Sequence, residues 1–195
     1  EFGIREHAMG GIVNGLALHS NLIPYGSTFL VFSDYMRPSM RLASLMNVNS
    51  LFIFTHDSIY LGEDGPTHQP IEHLMSLRLI PNLDVIRPSN SMELIHSYRY
   101  ALEKRDNPKA IILSRQNMKF FDNDVSYKDF QTGAYEFMPG KDITLVATGS
   151  ELELAVEISK NLKDLSVQII SAPILNKINK ERIESLNLNQ NIFTL

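Results

Sequence analysis

The chain has 195 residues, of which 44% are hydrophobic and 21% charged, a composition that fits an ordinary globular protein of one large or two small domains. Its net charge of −4, without a basic run, gives no support to a nucleic-acid-binding class. It has no cysteine, which excludes a disulfide framework and a thiol nucleophile and suits a reducing compartment, and no apolar stretch reaches the roughly 18 residues of a membrane span.

The first predicted element is a helix over residues 4–19. Its only acid, Glu6, lies in the first turn, either as a favourable charge for the helix dipole or as a carboxylate presented at a subunit or ligand interface. Three glycines would let this helix pack closely against another backbone, at a cost of about 1 kcal/mol each relative to alanine: Gly10, Gly11 and Gly15.

A short strand predicted over residues 22–28 leads into three aromatic residues at i, i+3 and i+6, namely Phe29, Phe32 and Tyr35. This spacing is typical of a core stripe, and the alternative is an aromatic platform for a flat ring. Ser33 or Asp34 is a candidate cap for a helix that runs to about residue 46.

The polar stretch at residues 55–70 is the strongest functional signal in the sequence. It follows an apolar strand, residues 51–54, and precedes a helical pattern at residues 71–77, so it lies at the carboxyl end of a strand, where open α/β sheets bind ligands. Two histidines, two aspartates and one glutamate fall within thirteen residues, among glycines and prolines that fix an irregular backbone. Such side chains can bind a polyhydroxylated ligand or move protons.

Two alternatives remain open for this loop. It could be an ordinary polar loop whose histidines cap neighbouring elements. A zinc site is less favoured, because a histidine spacing of twelve without cysteine matches no common ligand pattern.

Further strands are predicted near residues 84–88 and 110–113, separated by a helix that starts at Ser89 or Ser91 and runs to about residue 103. Arg115 follows the second of these strands, residues 110–113, and so lies at its carboxyl end. An arginine there is suited to bind a phosphate or carboxylate, and a surface ion pair is the alternative.

Residues 121–141 lack a clear period and are interpreted as a linker. A second unit follows, with strands alternating with helices, which favours parallel sheets in both units. Its first helix follows Gly149 and Ser150, where either an anion site or a simple helix cap is possible. Because the chain starts with Glu1 and stops in a strand-like segment, we expect a piece of a longer protein.

Four stretches, in this order and spacing, resemble transketolases, a family of thiamine diphosphate-dependent enzymes. They are Gly-Ile-Arg-Glu-His at 3–7, Tyr-Gly-Ser-Thr-Phe at 25–29, the loop at 56–70 and Ile-Leu-Ser-Arg-Gln-Asn at 112–117. The loop sequence Gly-Glu-Asp-Gly-Pro-Thr-His-Gln-Pro at 62–70 resembles transketolases. It is less similar to the deoxyxylulose phosphate synthase and pyruvate dehydrogenase branches of the thiamine-enzyme superfamily.

The resemblance implies an α/β fold with two domains. Residues 1–122 would be a parallel-sheet, pyrimidine-type thiamine diphosphate-binding domain without its amino-terminal part, residues 123–140 a linker, and residues 141–195 part of an α/β carboxyl-terminal domain. The diphosphate-binding domain, whose Gly-Asp-Gly motif binds Mg²⁺ or Ca²⁺ in this family, would lie outside this chain, so no metal ligand is expected here.

The implied reaction is reversible transfer of a two-carbon ketol group from a ketose phosphate to an aldose phosphate in the pentose phosphate pathway. Thiamine diphosphate performs the chemistry in such enzymes. A homodimer with the cofactor site across its interface, a cytoplasmic location, no nucleic-acid or membrane partner, and inactivity of the isolated chain are further expectations.

The resemblance also implies site residues. By its position in the motif, Glu6 would share a proton with the pyrimidine ring nitrogen and so act as a catalytic residue. Phe29 matches the aromatic residue that stacks on the pyrimidine, and Phe32 and Tyr35 would complete the platform.

The substrate residues follow in the same way. His56 and His68 match substrate-contacting histidines, one toward the phosphate end and the other toward the terminal hydroxyl of the donor, and His68 could also shuttle protons. Asp64 matches a carboxylate that recognises a hydroxyl of the donor sugar, and Arg115 matches a phosphate-binding arginine.

Three functional hypotheses therefore stand side by side. The first is a transketolase fragment. The second is a non-catalytic thiamine-enzyme-like module, such as a pseudoenzyme, a regulatory subunit or one half of a split enzyme. The third is the beta-type subunit of a 2-oxo acid dehydrogenase. The sequence of residues 64–70 argues against this third hypothesis.

Overall fold

A computed structural model describes residues 1–19, 21–122 and 125–195. These residues form two compact units. The first unit consists of Glu1–Ile86 and Arg99–Asn117, and the second of Arg87–Tyr98 and Met118–Leu195. The α/β fold predicted from the sequence is confirmed in both units.

The first unit alternates helices and strands in the order expected from the sequence. Its elements are α1 (Glu6–His19), β1 (Tyr25–Phe29), α2 (Ser33–Leu45), β2 (Leu51–Thr55), α3 (His73–Arg78), β3 (Asp84–Ile86) and β4 (Lys109–Ile112). Helix α4 (Ser91–Glu103) lies between β3 and β4 in the chain and is divided between the two units. Among the helices that the structure describes, none is both long enough and apolar enough to cross a membrane.

The sheet of the first unit is entirely parallel, with the strand order β1-β2-β4-β3. Strands β2 and β4 carry the apolar runs that are typical of parallel strands buried on both faces, whereas the edge strand β1 is partly exposed. The core combines these runs with side chains from α1 and α2, among them Met9, Val13, Leu30, Met36, Met40, Phe52, Phe54, Val85 and Ile112.

Helix α1 packs closely against α2, as its glycines predicted. A Cβ atom on Gly10 would lie only 2.7 Å from Cβ of Ser39. The two helices can therefore approach this closely only because Gly10 has no side chain. Asn14 stabilises the contact, because its Nδ2 donates a hydrogen bond to the carbonyl of Ser39 in α2 (2.9 Å). Its Oδ1 accepts a hydrogen bond from Oγ of Ser50, just before β2 (2.7 Å). Gly11, by contrast, has open space where a Cβ would be.

The predicted cap of α2 is wrong in detail. The helix begins at Ser33 itself, and Phe32 occupies the capping position without a side-chain hydrogen bond to the helix. A preceding 3-10 turn, Leu30–Phe32, continues directly into α2. The helix therefore needs no side-chain cap from Ser33 or Asp34, and Asp34 is left available for the contact described below.

The second unit contains a mixed sheet with the strand order β5-β7-β6-β8. Its further elements are α5 (Tyr127–Phe130), β5 (Tyr135–Met138), β6 (Ile143–Ala147), α6 (Glu151–Asn161), β7 (Val167–Ser171), α7 (Lys180–Ser185) and β8 (Asn191–Thr194). The prediction of a wholly parallel sheet is wrong here, because β5 runs antiparallel to β7. An antiparallel edge strand on an otherwise parallel sheet is common, and β5 comes from the stretch that lacked a periodic pattern.

A fully buried carboxylate, Glu93, organises part of the second unit. It accepts hydrogen bonds from the backbone N–H of Ser89 (2.6 Å), from Tyr135 Oη (2.8 Å) and from Ser171 Oγ (2.5 Å). Burial raises the pKa of Glu93, and these three donors partly offset the shift. The side chain of Asn90, rather than that of Ser89 or Ser91, accepts from the first turn of α4.

The turn at Gly149 holds an arginine of the chain itself rather than an open anion site. Gly149 has a φ of 59°, and a Cβ there would lie 2.6 Å from Nε of Arg87. The Arg87 guanidinium donates to the carbonyl of Thr148 (2.8 Å) and to Ser150 Oγ (3.1 Å), and it pairs with the Glu151 carboxylate. The anion at this helix start is therefore the side chain of Glu151, a favourable position relative to the helix dipole.

The α1–α2 contact gives a matched pair of substitutions. Gly10→Ala should lower the free energy of unfolding by about 1–3 kcal/mol, because its Cβ would overlap the Ser39 side chain. Gly11→Ala should raise it by up to about 1 kcal/mol, since alanine has the higher helix propensity and meets no neighbour. Urea unfolding of the two variants checks this, and equal effects would contradict the close approach.

Candidate active site

The strand order of the first sheet gathers three chain segments at one edge. Phe29 at the end of β1 lies beside Thr55 at the end of β2, and Phe54 lies beside Ile112 at the end of β4. Because all three strands are parallel, the segments that leave their carboxyl ends emerge on the same side. This places the aromatic residues after β1, the loop at residues 56–70 and Arg115 in one neighbourhood.

The loop at residues 56–70 has a defined but irregular backbone. Its first residue, His56, has a φ of 60°, an uncommon conformation that histidine tolerates better than most residues. Gly62 and Gly65 also have positive φ angles, 105° and 75°. Leu61 is buried, and Gln69 Nε2 donates to the carbonyl of Ile59 (3.3 Å), so the loop is closed on itself.

Aromatic rings line this edge and contact both histidines of the loop. Phe29 stacks on His56 with 3.6 Å between ring centroids, and Phe32 meets His68 edge-on at 5.5 Å. Phe32 lies 6.2 Å from Phe29 and 6.1 Å from Tyr35. Since Tyr35 is 65% exposed and the two phenylalanines are only half-buried, these rings are not a core stripe, and the platform interpretation fits them better.

Each histidine has a threonine partner that the sequence analysis did not identify. Thr55 Oγ1 lies 2.9 Å from Nδ1 of His56, and Thr67 Oγ1 lies 2.9 Å from Nδ1 of His68. The signal was present in the sequence as a repeated Thr-His pair. In the described part of the chain, Nε2 of neither ring has a protein hydrogen-bond partner.

The surroundings of His56, burial above all, favour its neutral form. Burial lowers the pKa of His56, and the positive charge of Arg115 lowers it further, while Asp64 and Asp57 act in the opposite direction. Arg115 is exposed and lies close to the loop, since a Cβ on Gly62 would be 3.5 Å from its guanidinium carbon. Among the described residues Arg115 forms no ion pair.

Glu6 lies at a separate cavity of about 350 Å³ in the first unit. The half-buried carboxylate shares the cavity wall with Ser27 and Thr28, which directly precede Phe29. In the parts of the chain that the structure describes, no hydrogen bond joins Glu6 to either loop histidine. The structure thus brings together the aromatic rings, both histidines, Asp64 and Arg115, and positions Glu6 beside the end of β1.

Two further contacts link α2 to α3, the helix that follows the loop. Nε2 of the buried His73 donates to the Asp34 carboxylate (3.1 Å), and the Arg37 guanidinium donates to Ser76 Oγ and to its carbonyl oxygen (2.8 Å each). Asp34, His73 and Glu72 each bring one ligand-type atom within 4.8 Å of the others. The hydrogen bond already uses one ring nitrogen of His73, so we assign these residues a structural role.

The charges around His56 predict opposite effects of two neutralising substitutions. Arg115→Met should raise the pKa of His56 toward the ordinary value, because protonation no longer places two positive charges together. Asp64→Asn should lower it further, because a favourable negative charge is lost. Histidine NMR titration of the 195-residue chain measures both shifts. Shifts of the same sign in the two variants would contradict this electrostatic account.

The His73–Asp34 hydrogen bond predicts a local change in stability. His73→Ala should speed backbone hydrogen exchange in residues 56–70 by roughly fivefold, the value of one hydrogen bond of about 1 kcal/mol, because the loop is anchored at its base by α3. The exposed His19 supplies the control variant, His19→Ala. Equal exchange of the loop in both variants would show that the contact does not hold it.

Two family models match this chain. The pyrimidine-binding domain of transketolase matches residues 1–120, and the carboxyl-terminal domain of transketolase matches residues 134–194. The first match alone covers more than half of the chain.

Relatives and solved structures agree with these matches. A transketolase from Staphylococcus aureus is 47% identical over 190 residues, which cover 94% of this chain and 29% of that protein. The structure of transketolase from Leishmania mexicana superposes with a TM-score of 0.94 at 38% identity, over 100% of this chain and 30% of that one. A split-gene transketolase, described as an inactive β4 tetramer, superposes with a TM-score of 0.84 at 28% identity, over 98% of this chain and 63% of that one. The chain therefore spans less than a third of the length of the Staphylococcus aureus protein, and it belongs to the transketolase family.

Proposed function

We propose that this chain is the pyrimidine-binding and carboxyl-terminal part of a transketolase that transfers a two-carbon ketol group reversibly from a ketose phosphate to an aldose phosphate. The observation that carries the proposal is the shared sheet edge, where two histidines lie against aromatic rings beside Arg115. This combination can hold a flat ring and an anionic, hydroxylated substrate in one place. We assign the reaction to the pentose phosphate pathway.

The residues present fit the pyrimidine half of thiamine diphosphate. A ring binder needs an aromatic face and a carboxylate, and the first unit offers Phe29, Phe32 and Tyr35 together with Glu6 at a cavity of about 350 Å³. We propose that the rings stack on the pyrimidine and that Glu6 shares a proton with its ring nitrogen. When bound, thiamine diphosphate supplies the carbon nucleophile of the transfer.

The substrate would be bound by the loop and by the segment after β4. We propose that His56 and His68 donate hydrogen bonds to donor oxygens, one toward the phosphate end and one toward the terminal hydroxyl. Asp64 would accept a hydrogen bond from a donor hydroxyl, and Arg115 would pair with the phosphate. His68, which is half-buried, would also move a proton near the reacting carbon.

The rest of the cofactor site belongs, in this proposal, to other parts of the protein. The sequence contains no Gly-Asp-Gly motif, so we propose that Mg²⁺ is bound by a diphosphate-binding domain outside this chain. Residues 1–122 and 141–195 are the proposed pyrimidine-binding and carboxyl-terminal domains, joined by residues 123–140. That junction carries α5 and β5, and so has regular structure of its own.

An exposed apolar face on α1 supports a homodimer with the cofactor site across its interface. Ile12, Leu16 and Leu18 are 46%, 42% and 59% exposed. Gly11 and Gly15 leave open space on this helix, which would allow the backbone of a second subunit to approach. Exposed apolar side chains beside open backbone favour a protein interface. A cytoplasmic location completes the proposal and rests on the family likeness.

A second candidate function is one half of a split transketolase. It is favoured by the likeness to the split-gene enzyme, of whose chain the present one covers 63%. In both cases the chain alone would be inactive, because the diphosphate and the metal, which contribute much of the cofactor affinity, would have no binding site.

The deciding experiment is a coupled transketolase assay with xylulose 5-phosphate, ribose 5-phosphate, thiamine diphosphate and Mg²⁺. The chain is assayed alone and after mixing with a separately expressed diphosphate-binding domain from the same source. Turnover only after mixing supports the proposal. Turnover by the chain alone would contradict the assignment of the missing half, and the absence of turnover in a folded mixture would contradict the reaction.

The same assay tests the role of Glu6. Glu6→Gln should lower kcat by about a hundredfold or more, since the amide cannot take part in the proton exchange of a carboxyl group. The fold should be unchanged, because Glu6 lies half-exposed at a cavity. Glu181→Gln, at an exposed position on α7, is the matched control. Equal activity of the two variants would remove Glu6 from its role.

A further inference from the structure

The two loop histidines share one local arrangement. In each case the preceding threonine places Oγ1 2.9 Å from Nδ1 of the ring, in Thr55-His56 and again in Thr67-His68. The two pairs differ in surroundings, because Thr55 is half-buried at the end of β2 and Thr67 is exposed in a 3-10 turn. The same contact therefore occurs in two unlike environments.

Each ring is held on two sides. The ring of His56 is stacked on Phe29, and the ring of His68 lies edge-on against Phe32, so the aromatic contacts restrict the ring planes. The threonine hydroxyls occupy Nδ1. Of the atoms that the structure describes, no protein group bonds Nε2 of either ring, and this nitrogen is therefore the one presented to a ligand.

A neutral imidazole has one donor nitrogen and one acceptor nitrogen, and the partner of one nitrogen determines the role of the other. A threonine hydroxyl can donate or accept. Phosphate oxygens accept hydrogen bonds, and a donor hydroxyl can accept one, so a ring that donates to either group must carry the proton on Nε2. Nδ1 is then the acceptor, and the threonine must be the donor. Burial, which lowers the pKa of His56, favours the neutral ring that this scheme requires.

We infer that Thr55 and Thr67 are positioning residues that hold His56 and His68 in the tautomer with the proton on Nε2, so that both rings donate to the substrate. The identity of the substrate as a sugar phosphate rests on the proposed function. The tautomer assignment is argued from the acceptor oxygens of that substrate and rests on it too, but its measurement needs only the chain itself. The role resembles that of outer partners of metal-binding histidines, which fix tautomer and ring orientation.

The first test measures the tautomers directly. Long-range ¹H–¹⁵N NMR of the histidine-labelled chain, recorded above the histidine titration range, distinguishes protonated from unprotonated ring nitrogens. We expect a protonated Nε2 and an unprotonated Nδ1 in both rings. Thr67→Val should introduce the other tautomer at His68 while His56 is unchanged, Thr55→Val should do the reverse, and the serine variants should retain the wild-type signals. A protonated Nδ1 in the wild-type chain, or no change in either valine variant, would overturn the inference.

The second test uses the mixed assay described above. Thr67→Val should lower kcat/KM for the ketose donor by about fivefold to tenfold, the value of one hydrogen bond, with unchanged affinity for thiamine diphosphate. Thr67→Ser should restore it. Valine variants with wild-type kcat/KM would overturn the positioning role. If the wild-type mixture has no turnover, the proposed function fails, and the NMR result still decides whether the threonines fix the tautomers.

Discussion

The candidate site depends on hydrogen bonding between three parallel strands, β1, β2 and β4. Parallel pairing sends their carboxyl ends to one edge, so residues separated by more than 80 positions along the chain, such as Phe29 and Arg115, become neighbours. Burial fixes the centre of the sheet, because β2 is apolar and mostly buried and β4 is buried throughout, while β1 is a partly exposed edge strand. A slip of one residue in β2 would turn its side chains to the opposite face and would separate His56 from Phe29.

Within this frame the histidines are held by weak contacts that act together. Stacking on Phe29 restricts the ring of His56, and Thr55 occupies its Nδ1. Burial and Arg115 lower the pKa of the ring and so favour its neutral form. Each contact alone contributes about 1 kcal/mol. In combination they leave one nitrogen with a defined role, which a solvent-exposed histidine on a mobile loop would not have.

Charged groups inside the second unit serve packing rather than ligand binding. Glu93 is fully buried and is surrounded by three donors, and Arg87 is buried against the turn at Gly149, where it pairs with Glu151. Removal of one partner from such a group leaves a buried polar atom without compensation, which is costly. The small strand-turn-helix motif at Gly149 is therefore occupied by the protein's own side chains.

The sequence by itself determined the order of helices and strands outside residues 121–141, the position of the loop at residues 56–70 and the resemblance to transketolases, because these follow from local periodicity, from glycine and proline positions and from the motif sequences. It also located every residue proposed to contact the cofactor or the substrate, but not the positioning residues Thr55 and Thr67. Only the tertiary structure decided that Phe29, Phe32 and Tyr35 line an edge instead of filling the core, that β5 runs antiparallel, and that Asp34 bonds His73. These outcomes depend on which segments meet in space. Contacts between residues distant in the chain leave no periodic signal. The threonine–histidine pairs are adjacent in sequence, but the contacts of their rings with Phe29 and Phe32 depend on the tertiary fold.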